Sequence, residues 1–368
     1  MERSSPRSTS LEEKIGQLLF IGLPGPEIDV DTERLLADIR PGGVCLFARN
    51  IRSPEQTREL LDGIRDACRV EPFLSVDQEG GLVDRLRRIL APMPAASKLS
   101  SSADAREIGR IIADALTSLG FNMDFAPVVD VVDENRAAFV NGLHSRAFGR
   151  SAVEVTEFAG EFLSTLQSGG IIGCIKHFPG LGASEVDSHE ELPLVSIGQA
   201  EFDSVDLTPY RELIATGSVR AVMVAHAAYP KLELQETGQN GKLLPSSLSS
   251  NFVTKLLRHQ IGFDGLVLTD DLEMGAIIKN YGIGEAAVMS IEAGCDMACI
   301  CAGTVSIREA HAALLDAAAT GRLSEDRIDA SVDRIFRIKQ QAKPPAEFLA
   351  DRVAAIAGEI ARFSERLA

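Results

Sequence analysis

The chain has 368 residues, of which 45% are hydrophobic and 24% are charged. This composition is typical of a globular protein with a sizeable core, and the length fits one large α/β domain or two ordinary ones. The 53 acidic and 37 basic side chains give a formal charge of −16, which argues against non-specific binding to nucleic acid or to an anionic membrane.

The N-terminal segment predicts a disordered tail over residues 1–10. The apolar stretch that follows is too short to span a bilayer, and Glu12, Glu13 and Lys14 precede it in place of a clean basic region. The six cysteines show neither the paired spacing of a metal site nor the density of a disulfide scaffold. These features predict a cytoplasmic protein with reduced, buried thiols.

Short apolar runs alternate along the chain with amphipathic segments. Continuous apolar strands that alternate with helices are typical of a parallel sheet covered on both faces. Eight repeats favour a closed (β/α)8 barrel, a TIM barrel forming a single domain, over an open doubly wound sheet. The predicted strands cover residues 17–22, 43–47, 72–77, 123–130, 171–177, 219–226, 265–270 and 296–302.

The C-terminal part is rich in Ala, Leu, Glu and Arg at helical spacing over residues 306–341 and 345–367. Helices with one apolar stripe pack that stripe against a core. We therefore expect the catalytic barrel to span residues 11–341, and residues 342–368 to form an extra C-terminal helix packed on it.

Five of the predicted strands end in an aspartate or a histidine. In a barrel these carboxyl ends share one face, where active sites are built. The sequence therefore predicts a polar site at that face. The five residues are Asp77, Asp130, His177, His226 and Asp270.

Asp270, in GLVLTDDLEM, is the candidate nucleophile. A carboxylate at the end of the seventh strand can attack an anomeric carbon and form a covalent glycosyl intermediate, as retaining glycosidases require. A second group must protonate the departing oxygen and then activate water. No glutamate near a strand end stands out for that task.

The loop after the fifth strand carries Asp187-Ser188-His189. Residues 178–195 contain two glycines and two prolines without helical periodicity, which is typical of a mobile connection. A carboxylate two residues from an imidazole can fix its tautomer and leave the other nitrogen to exchange protons. We expect His189 to be the acid/base and Asp187 its partner, although a loop capped by Asp with an incidental His has the same pattern.

Sugar hydroxyls need fixed donors and acceptors. The segment VDQEGGLVDR supplies a carboxylate and a guanidinium, SRAFG supplies an arginine, and KHFPG supplies two further donors. Arg49, in LFARN, has a comparable position and ranks lower. The predicted sugar-binding residues are Asp77, Arg85, Arg146, Lys176 and His177.

Nine segments carry a resemblance to glycoside hydrolase family 3 over nearly the whole chain: GGVCLFARNIRSPEQ, VDQEGG, NMDFAPVVDV, SRAFG, KHFPGLG, DSHEELP, MVAHAAYP, LTDDLEMGAI and AGCDMACIC. The chain most resembles the single-domain β-N-acetylglucosaminidases of that family, which are cytoplasmic enzymes that recycle cell-wall muropeptides. The resemblance implies Asp270 as nucleophile, His189 as acid/base and Asp187 as its partner. It also places the five sugar-binding residues on the family's sugar-binding positions.

Two residues depart from the family pattern, which usually reads KHFPGHG and DQEGGRV. Leu181 removes a polar group from the mobile loop, and Leu82 removes a cation that we expect beside the sugar site. The sequence leaves three alternative functions open. The chain could be a β-glucosidase, a family 3 phosphorylase that uses phosphate in place of water, or a non-catalytic sugar-binding barrel.

Metal chemistry is an alternative in which His177, Asp187, His189 and His226 surround an ion. The sequence lacks the H-E-x-x-H spacing of zinc, a P-loop and a dinucleotide fingerprint after a strand. We therefore predict no metal and no cofactor. The expected partner is a small carbohydrate substrate, with no nucleic acid and no membrane, on a monomer or weak homodimer.

Overall fold

The computed structural model describes residues 10–139, 141–185, 191–238 and 241–368. Within these ranges the strands are β1 (Leu19–Gly22), β2 (Gly43–Leu46), β3 (Phe73–Val76), β4 (Gln78–Gly80), β5 (Val83–Asp84), β6 (Met123–Asp124), β7 (Ile172–Phe178), β8 (Ala221–Val224), β9 (Leu266–Asp271) and β10 (Met297–Ile300). Eight parallel strands close a barrel in the order β1-β10-β9-β8-β7-β6-β3-β2, and β4 and β5 form a separate antiparallel hairpin. The predicted (β/α)8 barrel is therefore confirmed.

Helices surround the barrel, and serine side chains begin several of them. Ser53, Ser101 and Ser151 each accept a backbone N–H three residues later, which satisfies a donor that the first turn leaves unpaired. Two segments, Phe202–Asp206 and Asn251–Gln260, are π-helical. The α-helices are α1 (Leu11–Gln17), α2 (Val30–Ile39), α3 (Pro54–Ala67), α4 (Ser102–Leu119), α5 (Ala152–Ser168), α6 (Gln199–Glu201), α7 (Thr208–Ala215), α8 (Gly275–Ile278), α9 (Ile283–Ala293), α10 (Thr304–Ala319), α11 (Glu325–Lys339) and α12 (Ala350–Arg366).

Strand β6 is shorter than the predicted run of residues 123–130. Pro127 lies in that run and has no N–H to donate to a ladder. The chain nevertheless continues along β7, because Cys174 N donates to the Ala126 carbonyl at 2.9 Å and Val129 N donates to the Lys176 carbonyl at 2.8 Å. These irregular hydrogen bonds along β7 therefore place Asp130 at the carboxyl end of the barrel, next to the end of β7.

Aromatic rings fill part of the barrel interior. The Phe20 ring lies 5.1 Å from that of Phe125 and 6.3 Å from that of Phe73, measured between centroids. Gly43 on the neighbouring strand makes room for this packing, since a Cβ atom there would overlap the Phe20 ring. The interior is thus a packed core beneath the site.

The C-terminal helix α12 lies against α4. Ile360 and Phe363 of α12 are buried, and Arg366 Nη2 lies 3.1 Å from Asp104 Oδ1 and 2.7 Å from Glu107 Oε2. At the other terminus, the predicted tail lies outside the described residues except for Ser10, which caps α1.

All six cysteines are free thiols. Five of them are buried, and Cys68 is partly exposed.

Among the helices in the described ranges, none combines the length and apolar character needed to cross a membrane.

Candidate active site

The carboxyl ends of the strands surround a cavity of about 290 Å³. Two strand-end residues, Asp130 and His226, are buried and bond to neighbouring groups. The catalytic and sugar-binding residues predicted from the sequence contribute to the cavity lining wherever the structure describes them: Asp77, Arg85, Arg146, Lys176, His177 and Asp270. Asp187 and His189 lie outside the described residues.

Asp270 lies near the end of β9, and its carboxylate is partly exposed to the cavity. One oxygen, Oδ1, accepts the Asp271 N–H at 2.8 Å. Burial by itself would raise the pKa of Asp270, but His177, His226, the Asp271 N–H and Lys176 together hold the pKa below its usual value. The carboxylate is therefore ionised at neutral pH, as attack on carbon requires.

The adjacent carboxyl group, Asp271, has a different environment. Its Oδ1 accepts the backbone N–H groups of Glu273 at 3.1 Å and Cys301 at 3.3 Å. Burial raises the pKa of Asp271 to about 7, and repulsion from Glu273 and Asp270 adds to the rise. Near neutral pH the two neighbouring carboxyl groups therefore differ in charge, because Asp270 is ionised and Asp271 is partly protonated.

Four charged side chains form a compact network on the β3 and β7 side of the cavity. Lys176 Nζ lies 2.6 Å from Asp77 Oδ1 and 2.5 Å from Glu79 Oε1. Arg146 binds both oxygens of Glu79, at 2.7 Å and 2.9 Å. Burial opposes charge on Lys176 and Glu79, but their partners prevail, so the pKa of Lys176 is raised and that of Glu79 is lowered. The paired charges hold Asp77 in one orientation.

Glu79 is a site residue that the sequence analysis missed. It lies in β4, beyond the end of β3, and its carboxylate joins Arg146 to Lys176. The segment VDQEGG contains the relevant signal, because Asp77 and Glu79 are two residues apart and side chains at that spacing in an extended chain share a face.

His177 is oriented by Asp130. The ring Nδ1 lies 2.7 Å from Asp130 Oδ2, and the His177 backbone N–H donates to the same oxygen at 3.3 Å. Since an ionised carboxylate only accepts, Nδ1 carries the proton and Nε2 lies 3.4 Å from Arg146 Nη2. Asp130 therefore acts through His177 and does not itself line the cavity.

Arg85 is less tightly held than the other cations. Its Nη2 lies 4.0 Å from Asp77 Oδ2, and its guanidinium carbon lies 5.8 Å from the centroid of the Phe47 ring. The Nε atom is buried without a hydrogen-bond partner among the described residues. Arg49 contacts the same ring but donates to the carbonyl groups of Leu23 and Cys301, so its bonds support the backbone.

The sequence profile of the glycosyl hydrolase family 3 N-terminal domain matches residues 10–338. The chain belongs to glycosyl hydrolase family 3. The match includes every strand of the barrel and each described residue that lines the cavity.

Three proteins that are similar to this family 3 chain carry the name of a β-hexosaminidase, a β-N-acetylglucosaminidase or a family 3 glycosyl hydrolase. A β-hexosaminidase of Pseudomonas aeruginosa is 34% identical over 303 residues, or 80% of this chain and 86% of that protein. The structure of a family 3 β-N-acetylglucosaminidase from a Paenibacillus species is 34% identical and superposes with a TM-score of 0.85, covering 97% of this chain and 69% of that chain. A family 3 glycosyl hydrolase from Mycobacterium smegmatis is 31% identical with a TM-score of 0.81, covering 93% of this chain and all of that chain.

The two departures of this family 3 chain lie in different environments. Leu181 is buried and lines the cavity, and its backbone N–H donates to Asp130 Oδ1 at 2.6 Å. Leu82 is 71% exposed in the turn between β4 and β5 and does not line the cavity. Leu82 therefore does not contribute its side chain to the cavity, in contrast to the expectation from the sequence, because the tight turn directs that side chain into solvent.

The loop after β7 is attached at both of its described ends. Asn141 Nδ2 donates to the Ser184 carbonyl at 2.7 Å on one side. Val195 N donates to the Ala228 carbonyl at 2.8 Å on the other. The predicted acid/base pair lies between these attachments, in the segment that the structure does not describe.

Metal ligation was the alternative use of the site's histidines. Within the described ranges, no group of three or more His, Cys, Asp or Glu side chains is arranged to hold a metal ion. Two of the four residues considered for that alternative, Asp187 and His189, lie outside these ranges.

Proposed function

We propose that this family 3 chain is a retaining β-N-acetylglucosaminidase that removes a terminal β-linked N-acetylglucosamine through a covalent glycosyl intermediate. The observation that carries the proposal is the position of Asp270 at the end of β9, where it lines one cavity together with the ion-paired side chains of Asp77, Glu79, Lys176 and Arg146. The names of the Pseudomonas and Paenibacillus proteins support the choice of sugar.

Asp270 is the nucleophile in this proposal. In a double displacement an ionised carboxylate attacks the anomeric carbon, and the bond to the departing oxygen breaks. The lowered pKa of Asp270 supports this role. Asp271 suits it less, because its pKa is raised to about 7 and it is bonded to the backbone of Glu273 and Cys301.

The charged network supports sugar binding. Asp77 can accept hydrogen bonds from sugar hydroxyl groups while Lys176, itself held by Glu79, keeps it from rotating. Arg146 and His177 present donor and acceptor atoms nearby, at a mutual distance of 3.4 Å. Because these bonds exist before substrate arrives, little reorganisation opposes binding or reaction.

We assign the acid/base role to His189, with Asp187 as its orienting partner. Support comes from the other carboxyl groups that line the cavity, each of which has another task. Asp77 and Glu79 are ion-paired, Asp271 is bonded to backbone N–H groups, and Glu273 accepts the N–H groups of Ala302 and Gly303. The loop beside the cavity remains as the source of a group that can exchange a proton.

The natural substrate in this proposal is a muropeptide released from the cell wall and recycled in the cytoplasm. The cavity of about 290 Å³ suits one sugar unit better than a polymer, which fits removal of a terminal residue. A screen of aryl β-glycosides that differ only at the second sugar carbon tests the preference for the 2-acetamido group. Equal rates on the glucoside would contradict it.

Trapping tests the mechanism directly. A slow fluorinated N-acetylglucosaminide should leave a covalent adduct on the peptide that contains Asp270, which mass spectrometry of a digest can locate. The matched variant Asp271→Asn should still be labelled, and Asp270→Asn should not. Labelling at any other side chain would overturn the assignment.

A further inference from the structure

The β4–β5 hairpin turns alternate side chains toward the catalytic cavity, as an extended chain does. Gln78 and Asp84 lie opposite each other across the two strands. Both are buried, and neither lines the cavity. Each is therefore the immediate chain neighbour of two residues on the cavity face. Those cavity-lining neighbours are Asp77, Glu79, Val83 and Arg85.

Gln78 binds buried partners through three polar groups. Its side-chain Nε2 donates to Asp84 Oδ1 at 2.8 Å, and its Oε1 accepts the Leu86 N–H at 3.1 Å. Its backbone N–H donates to Asp124 Oδ1, on β6, at 3.0 Å. Leu86 directly follows Arg85, so this one residue joins both strands of the hairpin, the segment that leaves it and the neighbouring barrel strand.

The partners of the pair fix its orientation. Asp84 Oδ2 accepts the Met93 N–H at 2.8 Å, and Gln78 Nε2 also lies 3.1 Å from the Met93 sulfur. Both oxygens of Asp84 accept, and the Leu86 N–H needs an oxygen, so the Gln78 amide can point in only one direction. Turning it would leave buried donors and acceptors unpaired, which is costly.

We propose that the buried pair of Gln78 and Asp84 positions the sugar-binding residues of the hairpin segment. A shift of this backbone would move Asp77, Glu79 and Arg85 together, because each is one residue away from a bonded group of the pair. The inference rests on the proposed function, since it assigns to the pair an effect on sugar binding.

The expected effect is on KM. Neither member of the pair lines the cavity, and the proposed nucleophile Asp270 lies on β9, away from the hairpin. Loss of the pair should therefore weaken the binding of the sugar in the ground state and the transition state alike, which raises KM with little change in kcat.

Exchanging the two residue types tests the pairing. Gln78→Glu sets two carboxyl groups against each other, and Asp84→Asn leaves one oxygen where two accept from different sides. In the double variant the new amide donates to the new carboxylate, which still accepts the Leu86 N–H, and the amide oxygen still accepts the Met93 N–H. The exchange therefore keeps the three N–H···O bonds of the side chains and the net charge.

Each single variant should raise KM for an aryl β-N-acetylglucosaminide about fivefold or more, as loss of a buried hydrogen bond does. The double variant should return KM to within about threefold of the wild-type value. Assays at about pH 8 keep the carboxyl groups in Gln78→Glu from sharing a proton. Amide hydrogen exchange of the substrate-free chain should be faster over residues 79–86 in the single variants and restored in the double variant.

Asn122→Asp is the matched control. The Asn122 amide also accepts a backbone N–H, from Leu74 at 2.7 Å, and donates to the Pro72 carbonyl at 3.1 Å, but at the amino ends of β3 and β6. This variant should lower stability to denaturant and leave KM unchanged. A similar rise in KM in the control would show that loosening of the barrel, and not the hairpin pair, affects binding.

Unchanged KM in the single variants, or a double variant that recovers neither KM nor the exchange rates, would also overturn the inference. A wild type that prefers another glycoside would change the proposed function alone, and KM would then be measured with that glycoside. If the wild type cleaves no glycoside, the proposed function fails, and the dissociation constant of N-acetylglucosamine replaces KM. Absence of binding would then overturn the inference as well.

Discussion

The two sides of the catalytic cavity differ in whether their carboxyl groups form ion pairs. On the β3 and β7 side, Asp77, Glu79, Lys176 and Arg146 form a network in which each carboxylate has a cation within 3 Å. On the β9 side, Asp270 and Asp271 are adjacent carboxyl groups, and neither forms an ion pair in the described part of the chain.

This difference suggests that the paired side orients the substrate and that the unpaired side forms the bond to it. A paired network resists movement and suits a substrate that must be oriented, because its bonds persist whether or not sugar is present. An ionised carboxylate without an ion pair remains available to form a bond to carbon. The variants below alter one side at a time and should therefore change different measured quantities.

Asp270→Asn should have the largest effect. Loss of the proposed nucleophile should lower kcat for an aryl β-N-acetylglucosaminide by about 10⁴-fold or more, as nucleophile removal does in other enzymes. Steady-state kinetics should be measured for Asp270→Asn and for Asp271→Asn. The second variant is the comparison, because it keeps the proposed nucleophile. Equal losses in both variants would show that the two carboxyl groups are not distinct in role.

His189→Ala should have the next largest effect, and it should depend on the leaving group. A general acid contributes about 10²–10⁴-fold, but an aglycone of low pKa needs little protonation. Rates measured across aryl glycosides of increasing phenol pKa should therefore diverge from those of the wild type. A uniform loss over the series would indicate that His189 has a structural role.

Glu79→Gln should change stability as well as binding. It removes the shared partner of the buried Lys176 and the partly buried Arg146, and breaking a buried pair costs about 3–5 kcal/mol of unfolding free energy. Denaturant unfolding measures that loss, and KM should rise as Arg146 and Lys176 become less well held. Glu161→Gln breaks the exposed pair with Arg106 and should cost no more than about 1 kcal/mol. Similar losses in the two variants would argue against a rigid network.

Asp271 should produce the smallest effect, visible as a pH dependence of stability. The pKa of Asp271 in the folded state, about 7, exceeds the usual value for an aspartate, so between these two values the folded state holds a proton that the unfolded state releases. Stability should therefore fall as pH rises through this window. Between about pH 4.5 and about pH 7.5, the wild type should lose about 1–3 kcal/mol more unfolding free energy than Asp271→Asn. Parallel pH profiles would show that Asp271 is ionised throughout.

The barrel and the strand-end residues could be predicted from the sequence because both depend on local patterns. An apolar run followed by Asp or His marks a parallel strand and its carboxyl end within a few residues. Asp77, His177 and Asp270 were found in this way, and all three line the cavity.

Residues whose roles depend on distant partners could not be found in that way. Glu79 matters because Arg146 and Lys176, 67 and 97 positions away in the chain, reach it. Asp130 marks a strand end, but its contact with His177 requires the β6 segment to follow β7. The exposure of Leu82 is set by the turn between β4 and β5, which the alternation of apolar and polar residues does not predict.

The position of Leu82 also makes the hairpin useful for engineering. Val83 and Arg85 line the cavity on the same short segment, whereas the Leu82 side chain is exposed to solvent. Replacing it with cysteine would allow a fluorophore to be attached close to the entrance with little disturbance of the interior. Such a probe would test whether the hairpin changes its surroundings when a glycoside is added.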